Sequence, residues 1–188
     1  MMATSVSICS NALQMLGAKS FSSFDEPRDH VRSAANLYPS LRDTVLRAHT
    51  WNCATRRVIL APMVEPPPFD FRQQFQLPGD WLRTIQVGTR DRPVRYQSEG
   101  QRILADVDQL PLVYIFRNDV EATWSTNLIS VMELAMAAAL AYTVTASVSL
   151  RDSYRDEFAR QLKVAKAIDG QDDPPEEFSS GGFYESRF

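Results

Sequence analysis

The stretch Tyr38–Pro62, YPSLRDTVLRAHTWNCATRRVILAP, decides the fold. It starts with a helical apolar period and ends in a run fit only for a strand. Val31, Ala34, Ala35, Tyr38, Leu41, Val45 and Leu46 fall on one helix face. Pro39 lies inside that pattern and is expected to kink the helix, because it removes a backbone donor and crowds the carbonyl four residues back. After Trp51 the period changes to extended, with Arg57-Val58-Ile59-Leu60 as a short strand.

On the N-terminal side, residues 4–16 read as a helix capped by Thr4 or Ser5 and stopped by Gly17. Pro27 suits the first position of the second helix, with Asp25 or Glu26 as its cap. On the C-terminal side, PMVEPPP is a stiff linker that cannot be central in a sheet. DFRQQFQLPGDWLRTIQV offers two strands about a Pro78-Gly79 type II turn. PVRYQSEGQRILAD reads as a hairpin around Ser98-Glu99-Gly100, and PLVYIFRN as a strand setting Val113 and Ile115 against Tyr114 and Phe116.

From about Thr126 the helical signal returns, long, apolar and rich in small residues. Leu128–Leu150 is the nearest thing to a membrane span, but Glu133 and its many Ala, Ser and Thr residues point to a buried helix, so no membrane partner is expected. Ser149 is expected to cap the last helix with Asp152 closing a capping box. Leu150, Tyr154, Phe158, Leu162, Ala165 and Ile168 form its stripe, and Gly170 is expected to end it. The fold class expected is α+β, mainly α: a four-helix bundle with an inserted small antiparallel β region and an extended C-terminal tail. The expected division is 1–56 with 124–169 for the bundle, 57–123 for the β region and 170–188 for a flexible acidic tail.

The 188 residues carry a formal net charge of -3, which argues against a dedicated nucleic-acid binder. From Asp169 onward there are six acids against Arg187 alone. Of the 20 basic residues only Lys19, Lys163 and Lys166 are Lys; the rest are Arg, whose forked contacts suit protein interfaces. Cys9 and Cys53 read as buried thiols, since no secretory signal is evident.

Chemistry is hard to find. His30 and His49 are 19 apart with no ligand spacing, so no metal is expected. A Cys53/His49 nucleophilic pair is conceivable at helical spacing; a structural Cys beside a core Trp is the plainer reading. No phosphate-binding Gly loop, dinucleotide fingerprint or nucleophile elbow occurs, so no cofactor and no catalytic residue is expected. Arg56-Arg57 and Arg90–Arg95 are the densest basic stretches and read as interface rims. In the tail, Phe178, Phe183, Tyr184, Arg187 and Phe188 are candidate anchors for a partner.

The order of these stretches resembles the tail tubular protein A family of short-tailed bacteriophages, the head-to-tail adaptors. The likeness is carried by ICSNALQMLGAKSFSSFDEP, AANLYPSLRDTVLRAHTWNCATRRVILAP, FQLPGDWLRTIQV, YQSEGQRILAD, LVYIFR and ELAMAAALAYTVTASVSL, in that order. It runs to Ile168. The family commonly has Phe after Trp-Asn, where this chain has Cys53. The resemblance implies a structural virion protein and not an enzyme. Its copies, usually twelve, would form a ring between the portal protein and the tail nozzle protein, with DNA passing through the channel without specific binding. It implies a place in the virion neck and, during assembly, in the host cytoplasm. Pro39, Trp51 and Cys53 would form a rigid structural joint between the helical and β parts. The alternatives are another phage connector or head-completion protein that stabilises packaged DNA, a small hydrolase using Cys53 and His49, or a DNA-binding regulator.

Overall fold

The computed structural model describes residues 3–172. Helices α1 (Ser5–Met15) and α2 (Asp29–Arg47) precede strands β1 (Thr55–Leu60), β2 (Gln73–Gln76), β3 (Trp81–Val87), β4 (Tyr96–Glu99), β5 (Arg102–Ala105) and β6 (Leu110–Phe116). Helices α3 (Thr126–Thr145) and α4 (Val148–Gln171) follow. The strands make two antiparallel three-stranded sheets, ordered β1-β6-β3 and β2-β5-β4.

Two hydrophobic cores result. Phe75, Ile103, Ala105, Leu110, Leu112 and Tyr114 pack together, joining the two sheets. Ile115 of β6 and Leu82 of β3 belong instead to the core of the helices. The alternation of a strand sends successive side chains to opposite faces. Tyr114 and Ile115 are both buried because the β1-β6-β3 sheet is covered on both faces. The layers are therefore helices, first sheet, second sheet.

This overturns the expected four-helix bundle with a small inserted β region. A sheet face closes the helical core, and the strands own a second core. Around the long axis of α3 lie α1, α2 and α4, while α4 packs chiefly on α3 alone. Helix α3 is apolar on all sides because three helices cover it; buried positions such as Leu128, Met132, Ala137 and Ala141 spread round its circumference. By length and composition it could cross a membrane, and half of that span is buried inside the fold.

The cap and stop of α1 are as expected, while several other local expectations change. Thr4 caps α1 through a reciprocal box with Ser7, and Gly17, at φ +76, lets Ala18 N–H close back on the Leu13 carbonyl. Helix α2 begins at Asp29, not at Pro27. Asp25 and Glu26 do not cap it: Glu26 accepts from the Ser22 N–H and pairs with Arg28, and Arg28 donates to the Lys19 and Ser20 carbonyls, folding the loop. Ser147, not Ser149, caps α4 through the Leu150 N–H, and Asp152 pairs with Arg151 instead of closing a box. The helix runs through Gly170 to Gln171.

The hydrogen-bonded turn at 78–81 has Trp81 N–H donating to the Pro78 carbonyl, so Gly79 and Asp80 are central and Gly79 keeps an ordinary φ. It is no type II turn, and β2 and β3 do not pair; the chain crosses there from one sheet to the other. The β4–β5 hairpin turns at Gly100-Gln101, with Gly100 at φ +57.

Ala137 is wholly buried in α3. Ala137→Leu should overpack this interface and cost about 1–3 kcal/mol. A guanidinium melt should show a lower midpoint with an unchanged slope.

Candidate functional site

The end of α2 turns into β1 around Trp51. Its ring is fully buried, its Nε1–H donates to the Val45 carbonyl at 3.0 Å, and its carbonyl accepts from Ala54 N–H and the Thr55 hydroxyl. These bonds stop the helix and open the 3-10 turn Asn52–Ala54, after which the chain extends. The ring of His49 meets Trp51 edge-on, with centroids 4.8 Å apart.

Two distant segments clamp this turn. Asp169, near the end of α4, is buried, accepts from the Asn52 backbone N–H at 3.2 Å and lies 3.5 Å from His49 Nε2. Asn52 Nδ2 returns the contact by donating to the Asp169 carbonyl at 3.0 Å, satisfying one of the last carbonyls of α4. From the other side Asn118, itself buried, donates to the Cys53 carbonyl at 2.7 Å and to the Thr123 hydroxyl, and accepts from the Val120 N–H.

Beside the joint opens a cleft of about 610 Å³, lined by Cys53, Arg56, Asp80, Phe116, Arg117 and Val120 among others. Asp80 organises its wall. It pairs with Arg56, accepts from the Tyr114 hydroxyl at 3.0 Å, and its carbonyl accepts from Arg117 N–H. The Arg56 guanidinium lies 3.7 Å over the Phe116 ring. Arg117 reaches Asp43 of α2 at 2.7 Å, and Arg42 joins the same carboxylate.

The structure thus brings Trp51 and Cys53 together at the joint and leaves Pro39 apart. Pro39 is exposed on α2, eight residues and about 12 Å of helix before its end at Arg47. The helix continues through it, and Pro39 itself is exposed to solvent. Phe178, Phe183, Tyr184, Arg187 and Phe188 lie outside the described residues.

Asn118, Asp80 and Asp169 were not singled out as site residues. Asp169 had a signal: it follows Leu162 and Ala165 at helical spacing, and it, not Ile168, ends the buried stripe of α4. A carboxylate at a core position needs partners waiting for it. Asn118 had none, because its role depends on a turn formed 65 residues earlier.

Chemically the arrangement clamps. Burial, and then the nearby charge of Asp169, push the Cys53 thiol up to about 11, so it stays protonated near neutrality. A nucleophilic thiol requires the opposite shift. Cys9, deeper in the helical core, is pushed up to about 12 by burial and then by Glu121. Among the described residues no cluster of three metal-ligating side chains occurs. Compared with known proteins, the chain matches no family profile and no curated sequence.

Asn118→Ala should cost about 1–3 kcal/mol, because the Cys53 carbonyl and Val120 N–H both lose their partner; urea unfolding reads this directly. The thiols give a pH signature. The unfolded chain releases their protons near pH 9 while the folded chain holds them, so this stability is complete below pH 9 and falls as pH rises toward 11. Each thiol should contribute a loss of about 1.4 kcal/mol per pH unit in that window, seen as a falling denaturation midpoint.

Proposed function

We propose that the chain is a structural virion protein, a head-to-tail adaptor of the tail tubular protein A type. Its copies form a ring, twelve by family resemblance, between the portal protein and the tail nozzle protein, in the virion neck. DNA passes through the channel without specific binding, and the subunits are present in the host cytoplasm during assembly.

The observation that supports this most is the joint. Its buried polar groups hold backbone from three separate parts of the chain, Asn52–Cys53, Asn118 and Asp169, in one place. A subunit that must meet one partner with its helices and another with its sheets needs its two ends at a fixed angle. Hydrogen bonds to buried backbone supply that. The net charge of -3 also suits a conduit, since each phosphate contact would add salt-dependent affinity and hold DNA back. Another connector or head-completion protein would share the rigid joint. The hydrolase alternative is disfavoured by the raised Cys53 thiol.

The test is mass in solution by light scattering after size exclusion, with and without the portal ring from the same genome. Co-elution at roughly one copy per portal subunit is expected from matched cyclic symmetry. A chain that never binds the portal ring overturns the adaptor assignment.

A further inference from the structure

The outer strands of the two sheets are β1, β3, β2 and β4, and all but one of these edges are blunted. An open edge is a template for another strand, and proteins ordinarily close it. On β2 the Met63 N–H reaches over from the preceding loop to the Gln74 carbonyl at 2.8 Å. On β3 register shifts between Trp81 and Arg83 and between Thr84 and Gln86 bend the strand, and Arg47 donates to the Leu82 carbonyl. On β1 Arg56 and Arg57 stand side by side, both exposed. The remaining edge is β4. It pairs with β5 on one side, and among the described residues nothing bonds its backbone on the other. Every residue from Tyr96 to Glu99 is exposed, and the strand holds no Pro, no Lys or Arg and no bulge.

The backbone of β4 decides what fits there. Gly100-Gln101 is a two-residue connection, so Glu99 and Arg102 flank it as a hydrogen-bonded pair. Bonding alternates along an antiparallel ladder. Gln97 and Glu99 therefore direct their backbone groups to β5, while Tyr96 and Ser98 aim theirs at the open side. The occupant has to be an extended strand with its own backbone groups free at every second residue.

β4 of a second copy meets that requirement. With the strands antiparallel and Gln97 on the twofold axis, Tyr96 faces Ser98 of the second copy, and each donates its N–H to the other's carbonyl. Arg95, one residue before the strand, then faces Glu99 of the second copy, on both sides of the axis. These are non-hydrogen-bonded positions, where Cα atoms approach to about 4.5 Å and side chains lie closest. Both charges are open to a partner. Arg95 touches the Phe71 ring at 5.4 Å and makes no ion pair among the described residues, and Glu99 accepts only from the Gln97 amide. Opposite charges at the two ends of β4 make the edge self-complementary, with no like charges opposed.

We infer that β4 is a self-association edge: two copies of this chain pair antiparallel through Tyr96–Glu99, with Arg95 of each against Glu99 of the other. The two second sheets then run on as one across the axis. The contact uses the same patch on both copies and joins two subunits about a twofold axis. It is independent of the ring proposed above, whose contacts need two different patches. An edge this short makes a weak, concentration-dependent dimer.

The test is sedimentation velocity on the full chain over a concentration series. The wild type should show a monomer–dimer equilibrium. Glu99→Arg and Arg95→Glu each set like charges across the axis and should weaken it roughly tenfold. Their thermal melts should not change, because both side chains are exposed. Mixed in equal amounts, the two variants restore both ion pairs, so heterodimers should form at wild-type strength. A wild-type chain that stays monomeric at the highest concentration reached overturns the contact. So does dimerisation that neither charge reversal weakens, or a mixture that forms no heterodimers. Loss of portal binding in Glu99→Arg, with no wild-type dimer, also overturns it and makes a portal strand the occupant. Portal co-elution of the wild type continues to judge the ring separately.

Discussion

Strand β6 must be covered on both faces, and the remaining architecture follows from that requirement. Leu110, Leu112 and Tyr114 turn toward the second sheet while Ile115 turns toward the helices. A slip of one residue would exchange the two sets. The register is therefore held at the strand's end by polar contacts: the Tyr114 hydroxyl on Asp80, and the Arg117 N–H on the Asp80 carbonyl. Asp80 thus fixes which side chains reach which core.

The same economy appears at the joint. A buried carboxylate is costly to desolvate, and Asp169 is tolerated because the Asn52 N–H and His49 meet it. Asn52, Asn118 and Asp169 satisfy backbone groups that the switch from helix to strand would leave without partners. The charged and amide side chains that looked idle in the sequence are tying three segments together, which is why no constellation for catalysis could be read among them.

Much of this was legible in advance and some was not. The four helices, the hairpin around Gly100 and the strand through Tyr114 follow from local periodicity and turn chemistry. The two-sheet arrangement did not, because β2 and β3 look like a hairpin across Pro78-Gly79 and pairing partners are not written locally. The bundle expectation failed for a related reason: the apolar faces of α1, α2 and α3 are equally satisfied by a helix or by a sheet presenting Leu82 and Ile115. In the site, Trp51 announced itself by its place at the change of period. Asp169 falls at the last residue expected for the bundle and reads there only as one of the C-terminal acids, since its burial depends on Asn52, 117 residues away.

The distribution of the helical core along the chain has a consequence for biosynthesis. The strands span residues 55–116 and can pair with one another as soon as they emerge. The helical core cannot close, because Ile8, Leu46 and Trp51 pack against Met132, Leu140 and Ala141, made much later. At ribosomal speeds of about 5–20 residues per second, the first two helices wait roughly 4–17 seconds with their apolar faces open. In that interval the apolar faces of α1 and α2 lack the α3 side chains that share their core. The β layers would mature first and the helical layer last.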